Sequence, residues 1–155
     1  MSTAPDIRVD DLSGPAIVAL LEEHLAFANA VSPPSAVHAL DLDALRRPEI
    51  TFWTAWFGDE LAGCAALREL DATHGEVKSM RTATGYQRRG VAQALLEHMI
   101  ATARERGYRR LSLETGNTDA FAPARRLYER FGFATCPPFA DYVIDGFSVC
   151  MTRAL

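Results

Sequence analysis

The chain has 155 residues, 48% apolar and 23% charged, which suits one domain with a sizeable core and argues against wholesale disorder. A net charge of −4 and a pI near 5.5 argue against a dedicated nucleic-acid binder, which is normally basic. No apolar run of roughly 18 residues occurs, the first residues lack a secretory pattern, and three scattered cysteines without a CxxC fit a reduced, cytoplasmic setting away from membranes.

Ile7 to Val9 reads as a short first strand. Ser13-Gly14-Pro15 starts a helix, with the proline preorganising its first turn, and Ile17, Leu20, Leu21, Leu25 and Ala28 follow at helical spacing. Ser32-Pro33-Pro34-Ser35 breaks it, and a second short helix is expected over 38–46. Ile50 to Phe57 is rich in aromatic and β-branched residues, Gly58-Asp59-Glu60 turns the chain, and Leu61 to Leu70 completes a hairpin. Glu76 to Thr82 is the next strand. Val91 to Arg106 is the clearest helix, with Ala92, Leu95, Leu96, Met99, Ile100 and Ala103 in one stripe and Gly107 at its stop. Arg109 to Thr115 alternates as a strand should. Ala122 to Phe131 is a short helix, Phe133 begins a strand, and Phe147 to Thr152 makes the last one. The order β-α-α-β-β-β-α-β-α-β-β, without repeat or linker, implies one α/β domain over 1–155: a mixed sheet with helices on both faces.

Charge is unevenly spread. Residues 1–77 carry 4 Lys/Arg against 13 Asp/Glu, whereas residues 78–155 carry 12 against 7. The stretch Met80-Arg81-Thr82-Ala83-Thr84-Gly85-Tyr86-Gln87-Arg88-Arg89-Gly90-Val91-Ala92 lies in the basic half, where a strand runs through a turn into a long helix. N–H groups at such a helix start lack intrahelical partners and carry the positive end of the dipole, so they suit phosphate oxygens. Gly90 lets backbone approach a ligand without a Cβ, and Arg88 and Arg89 add charge. On these residues alone, a phosphate site and an ordinary basic helix start are equally admissible. GxGxxG and GxxxxGK[ST] are both absent.

Gln87-Arg88-Arg89-Gly90-Val91-Ala92 matches Q/R-x-x-G-x-G/A, and the run from Ala124 through Leu127, Tyr128, Gly132 and Phe133 matches A-x-x-L-Y-x-x-x-G-F. With the strand before and the amphipathic helix between, the chain resembles the GCN5-related N-acetyltransferase (GNAT) superfamily, sharply over roughly 76–135. The resemblance implies a mostly antiparallel mixed sheet whose fourth and fifth strands splay apart around acetyl-CoA. It implies backbone contacts to pantetheine from Met80, Arg81 and Thr82. Pyrophosphate contacts carry over to Arg88, Arg89, Gly90, Val91, Ala92 and Gln93, with Gln87 leading the motif. An asparagine usually stands seven residues before the motif tyrosine. Phe121 stands there instead, and Asn117 is the nearest replacement.

The implied reaction is transfer of an acetyl group from acetyl-CoA to a primary amine of a small molecule, amino acid or peptide. An amine near pH 7 is mostly ammonium, so a base must take its proton, while the departing thiolate benefits from an acid and the oxyanion from a donor. The resemblance places Tyr128 as the acid and Glu76, aligned with the strand-four glutamate of histone-type members, as the base. Glu76, Lys78, Met80 and Thr82 are expected on one strand face. Glu114 ends a strand near the cleft and is a second carboxylate able to orient water or substrate. No Cys/His or Ser/His/Asp set appears at a recognisable spacing, so direct transfer is expected rather than an acyl-enzyme. His24, His38, His74 and His98 show no metal-ligand spacing, so no metal is expected. The alternative is a noncatalytic acyl-CoA-binding regulatory module. A homodimer through the final strand is a further expectation, as is a cationic acceptor drawn to the acidic N-terminal half.

Overall fold

The computed structural model describes residues 4–31, 42–140, 142–143 and 146–155. Its elements are β1 (Asp6–Val9), α1 (Pro15–Val31), α2 (Leu42–Leu45), β2 (Ile50–Phe57), β3 (Glu60–Asp71), β4 (His74–Thr82), α3 (Val91–Glu105), β5 (Arg110–Gly116), α4 (Ala122–Arg130), β6 (Ala134–Cys136) and β7 (Ser148–Ala154). A 3-10 turn, Asp119–Phe121, leads into α4. Part of the expected second helix, 38–41, lies outside the described residues; the remainder forms α2.

The strands form one sheet in the order β1-β2-β3-β4-β5-β7-β6. Every neighbouring pair is antiparallel except β4 and β5. β7 is paired on both sides, to β5 along its length and to β6 over Cys150–Thr152. The expected dimer through the final strand therefore lacks an open partner edge over that stretch, and the edges of the sheet are β1 and β6.

Each face of the sheet carries its own apolar cluster. On one, Leu95, Leu96, Met99, Ile100 and Ala103 of α3 meet Trp53, Leu67, Val77, Leu111 and Leu113, with Leu127 and Tyr128 of α4 beside them. Burying each large aliphatic side chain of that stripe contributes about 1.5–3 kcal/mol, which anchors α3 to this face. On the other, Ile17, Leu20 and Leu21 of α1 cover Phe52, Cys64 and Ala66.

The feature that positions the site is a break between β4 and β5. Their parallel pairing runs from His74↔Arg110 to Val77↔Leu113 and stops. Beyond that point β4 stays with β3 to Thr82, and β5 stays with β7 to Gly116, so a gap opens between them. The splay matches the expectation. A bulge falls in the same stretch: Ala66 faces Lys78 but Cys64 faces Arg81, one extra residue on β4, and Ser79 has φ 53°. That extra residue reverses the alternation. Glu76, Lys78 and Arg81 share the α1 face, whereas Met80 packs with the α3 cluster. The expectation of one shared face for Glu76, Lys78, Met80 and Thr82 is thus corrected, because strand alternation holds only where no residue is inserted.

Candidate active site

The gap widens into a cavity of about 720 Å³. β4 lines it with Val77 through Thr82, β5 with Glu114 and Thr115, and α1 with His24 and Phe27. Gln87 and Arg88 of the turn, Ala92 of α3, and Phe121, Arg126, Leu127 and Tyr128 at and within α4 complete the wall. From Lys78 onward β4 presents an edge with no strand opposite among the described residues, so its outward backbone groups are available to an extended ligand carrying amides.

At the start of α3, Gly90 is the N-cap, with φ 77° and ψ 14°, and no side chain caps the helix. Arg88 has φ 64°, also left-handed, so the turn enters the helix through two left-handed residues, of which only Gly90 adopts that conformation without steric cost. The first-turn N–H groups are therefore left for a ligand. The side chains of the motif diverge. Gln87 accepts from the Gly85 N–H at 2.8 Å and holds the turn. Arg88 lines the cavity. Arg89 instead stands over the rings of Phe57 and Tyr86, 4.4 and 5.2 Å from their centroids. Val91 is buried in the core, and Gln93 donates to Glu97 at 3.2 Å. Arg89, Val91 and Gln93 can serve a ligand here through backbone, not side chain.

Tyr128 is buried, its ring edge-on to Phe133 at 5.9 Å. Burial pushes its hydroxyl up to about 12, so it keeps its proton at neutral pH. Phe121 packs against Phe27 with centroids 5.5 Å apart, bringing the start of α4 up to α1. Gly116 makes room for it: a Cβ there would lie 2.0 Å from the Phe121 ring. Asn117 is drawn elsewhere. Its side-chain amide donates to the Gly146 carbonyl at 2.7 Å and its N–H to Phe147, and it does not line the cavity. Asn117, expected to replace the missing asparagine, thus stands off the cavity wall, and Phe121 itself lines it.

A charged cluster lies on the α1 face just before the bulge. Glu76 is 1% exposed. Arg68 of β3 approaches one carboxylate oxygen at 3.7 Å and Lys78 the other at 3.4 Å. The Tyr142 hydroxyl donates to Glu76, and the Lys78 ammonium donates to Tyr142 at 3.2 Å. Burial, reinforced by the charge of Glu76, pushes Tyr142 up and keeps it protonated. Lys78 and Glu114 reach the cavity wall; Glu76 stands behind it. The structure thus brings Glu76 beside the cleft but not into it. Arg68 and Tyr142 were not readable as partners of Glu76, since they come from another strand and from the β6–β7 connection.

On α1, Glu23 accepts from Arg81 at 2.8 Å and from Thr84 at 2.7 Å, which ties the helix to the end of β4. His24 lines the cavity with its Nδ1 buried and without a hydrogen bond among the described residues. Burial, then the Arg81 charge, lowers its pKa to about 4, so the ring is neutral at pH 7. His74 bonds to Ser112 at 2.7 Å, and His98 packs edge-on against Trp53 at 5.4 Å. His38 lies outside the described residues. Among the described residues no cluster of three His, Cys, Asp or Glu suits a metal ion, and no helix is long and apolar enough to cross a membrane.

Residues 17–133 match the acetyltransferase (GNAT) family. The "Uncharacterized N-acetyltransferase YsnE" of Bacillus subtilis (strain 168) is 58% identical over 149 residues, covering 96% of this chain and 99% of the relative. The "Uncharacterized N-acetyltransferase YedL" of Escherichia coli (strain K12) is 50% identical over 149 residues, covering 96% and 94%. A GNAT family acetyltransferase from Elizabethkingia anophelis, solved with acetyl-CoA bound, superposes with a TM-score of 0.72 at 20% identity over 98% of this chain and 99% of that one.

Proposed function

The chain belongs to the acetyltransferase (GNAT) family, and we propose that it moves an acetyl group from acetyl-CoA directly to a primary amine of a small molecule, amino acid or peptide. A GNAT family acetyltransferase of the same fold was solved with acetyl-CoA bound, which supports acetyl-CoA as the donor. The observation that carries the reading is the cavity itself, because one gap holds an unpaired strand edge, an uncapped helix start and a protonated tyrosine.

Each part has a task. The backbone of Met80, Arg81 and Thr82 receives the pantetheine amides. The N–H groups from Gly90 to Gln93, with Arg88 beside them, hold the pyrophosphate, where fixed dipoles cost little reorganisation. Arg126, on the same wall, is a further cation for the cofactor phosphates. The amine attacks the thioester carbonyl, its N–C bond forms, and the tetrahedral intermediate collapses with loss of the C–S bond. Tyr128 hydrogen-bonds or protonates the departing thiolate. The proton lost by the amine passes to Glu76 by way of the Tyr142 hydroxyl, which already donates to it. A second route is favoured by one observation: Glu114 lines the cavity, so it can take the proton without a relay. Three free thiols fit the reducing interior of a cell.

Thiol release from acetyl-CoA across a panel of amines tests the transfer. Glu76→Gln and Glu114→Gln then separate the two routes. The one that carries the proton lowers turnover most at neutral pH and less at high pH, where the amine is already deprotonated. Wild-type rates and an unchanged pH profile in both variants would remove carboxylates from the proton path.

A further inference from the structure

Val77 and Leu113 are the last residues that β4 and β5 pair, so Lys78 and Glu114 are the first to stand on opposite lips of the gap. Both precede the bulge in register, both share the α1 face with Glu76 and Ser112, and both line the cavity. The lips of the gap therefore carry opposite charges. Behind Lys78, Glu76 is shared with Arg68, so the buried carboxylate answers two cations, and the trio keeps one positive charge in excess. Adding Glu114 makes the group neutral but polarised, positive on the β4 lip and negative on the β5 lip. Tyr142 joins the two halves, since it bonds to Glu76 and Lys78 and feels the charge of Glu114.

We propose that the acceptor is an amine that also carries a carboxylate, an amino acid or a molecule with the same zwitterionic head. It rests on the acetyl-transfer reading above. The carboxylate of the acceptor lies toward Lys78, where a half-buried cation with an incomplete share of its counter-ion gains most from an anion. Its amino group lies toward Glu114, close to the gap where the thioester carbonyl must sit. A simple alkylamine or a polyamine brings only positive charge, which Lys78 and Arg68 oppose. The acidic balance of residues 1–77 suggests a cationic acceptor amine, whereas the charges that β4 brings to the cavity wall are the cations Lys78 and Arg81.

The test uses the full chain with acetyl-CoA and matched sets of acceptors: phenylalanine, phenylalaninamide and phenethylamine, with the corresponding sets for leucine, methionine, glutamate and lysine. For the best set, kcat/KM for the free amino acid exceeds that for its amide or decarboxylated amine by about 10- to 100-fold, the range of one charge-assisted hydrogen bond. Lys78→Met erases most of that ratio, chiefly through KM of the carboxylated member, and Lys78→Arg restores part of it. Amides or decarboxylated amines turning over as well as the amino acids would overturn the inference while leaving acetyl transfer intact. Protein that is stabilised by acetyl-CoA yet acetylates no carboxylated amine in the panel would overturn it equally. Absence of any acetyl-CoA stabilisation would instead strike at the transfer reading beneath it. The comparison of acceptors on the unmutated chain decides the question even if the Lys78 variants fold poorly.

Discussion

On the side of the cleft proposed for the cofactor, the groups facing the cavity are backbone amides of β4 and α3, with Arg88, Arg126 and one buried tyrosine beside them. On the side proposed for the acceptor they are charged side chains drawn from β3, β4 and β5, with the Tyr142 hydroxyl from the β6–β7 connection. The first arrangement depends on chain direction and on where a strand and a helix are allowed to stop. It tolerates side chains that point away, as Arg89 and Gln93 do. The second depends on the identity of every member, because Glu76 without Arg68 and Lys78 would be a buried, uncompensated charge. One catalytic frame can therefore be kept while the acceptor side is rebuilt.

The sharpest way to break this contrast is Tyr128→Phe, which removes the one side chain of the cofactor half that is proposed to take part in the chemistry. The substitution removes only the hydroxyl and keeps the buried ring and its contact with Phe133, so it costs little stability. Single-turnover kcat with saturating acetyl-CoA is expected to fall about 10²–10⁴-fold, the range for a general acid, while the acetyl-CoA-induced rise in Tm is preserved. A variant within about threefold of the parent chain, well short of that range, would return Tyr128 to a packing role.

The same contrast explains what could be read from the sequence. The turn from Met80 to Ala92 and the run from Ala124 to Phe133 are local, so a short motif records both the backbone geometry and the tyrosine. The α3 stripe was equally plain, since 3.6-residue periodicity is a local property. The acceptor cluster joins residues as far apart as Arg68 and Tyr142, and no spacing rule links them. The bulge at Ser79 was hidden for another reason. A polar residue at φ 53° leaves no compositional mark where a glycine would have, so the sequence reads as unbroken alternation through it. The position of Asn117 was not legible either, since its amide donates to the Gly146 carbonyl, far along the chain.

His24 sharpens the comparison from the rim, since it lines the cavity from α1 and joins neither the backbone frame nor the charged cluster. In the fold its pKa is lowered to about 4 from an ordinary 6.5, by burial and then by Arg81. Above pH 6.5 the ring is neutral in both folded and unfolded chains and contributes no pH dependence. As pH falls from 6.5 toward 4, the unfolded chain binds the extra proton and the folded chain does not, so stability declines across that window. The loss is at most about 3 kcal/mol. Urea titrations from pH 7.5 to 4 read it directly, and His24→Asn is expected to flatten the slope. A parallel decline in the two proteins would show that the ring is not held neutral.

The smallest effect comes from the α3 start, where conformation can be changed without adding contacts. Gly90 has φ 77°, yet a Cβ added there would meet nothing within 4 Å. Gly90→Ala therefore carries only the left-handed penalty, about 1–2 kcal/mol. If the helix start relaxes to escape that penalty, the free N–H groups turn away from the phosphates and the acetyl-CoA-induced Tm shift shrinks. Gly90→Asn, which tolerates the left-handed region, recovers part of both quantities. Arg89→Ala is the control, because its guanidinium sits over Phe57 and Tyr86 and not in the cavity. It is expected to lose some stability and keep the ligand shift. Should Arg89→Ala lose the shift while Gly90→Ala keeps it, the cofactor half would depend on the Arg89 side chain and not on the backbone of the helix start. The distinction between a backbone-built side and a side-chain-built side would then fall.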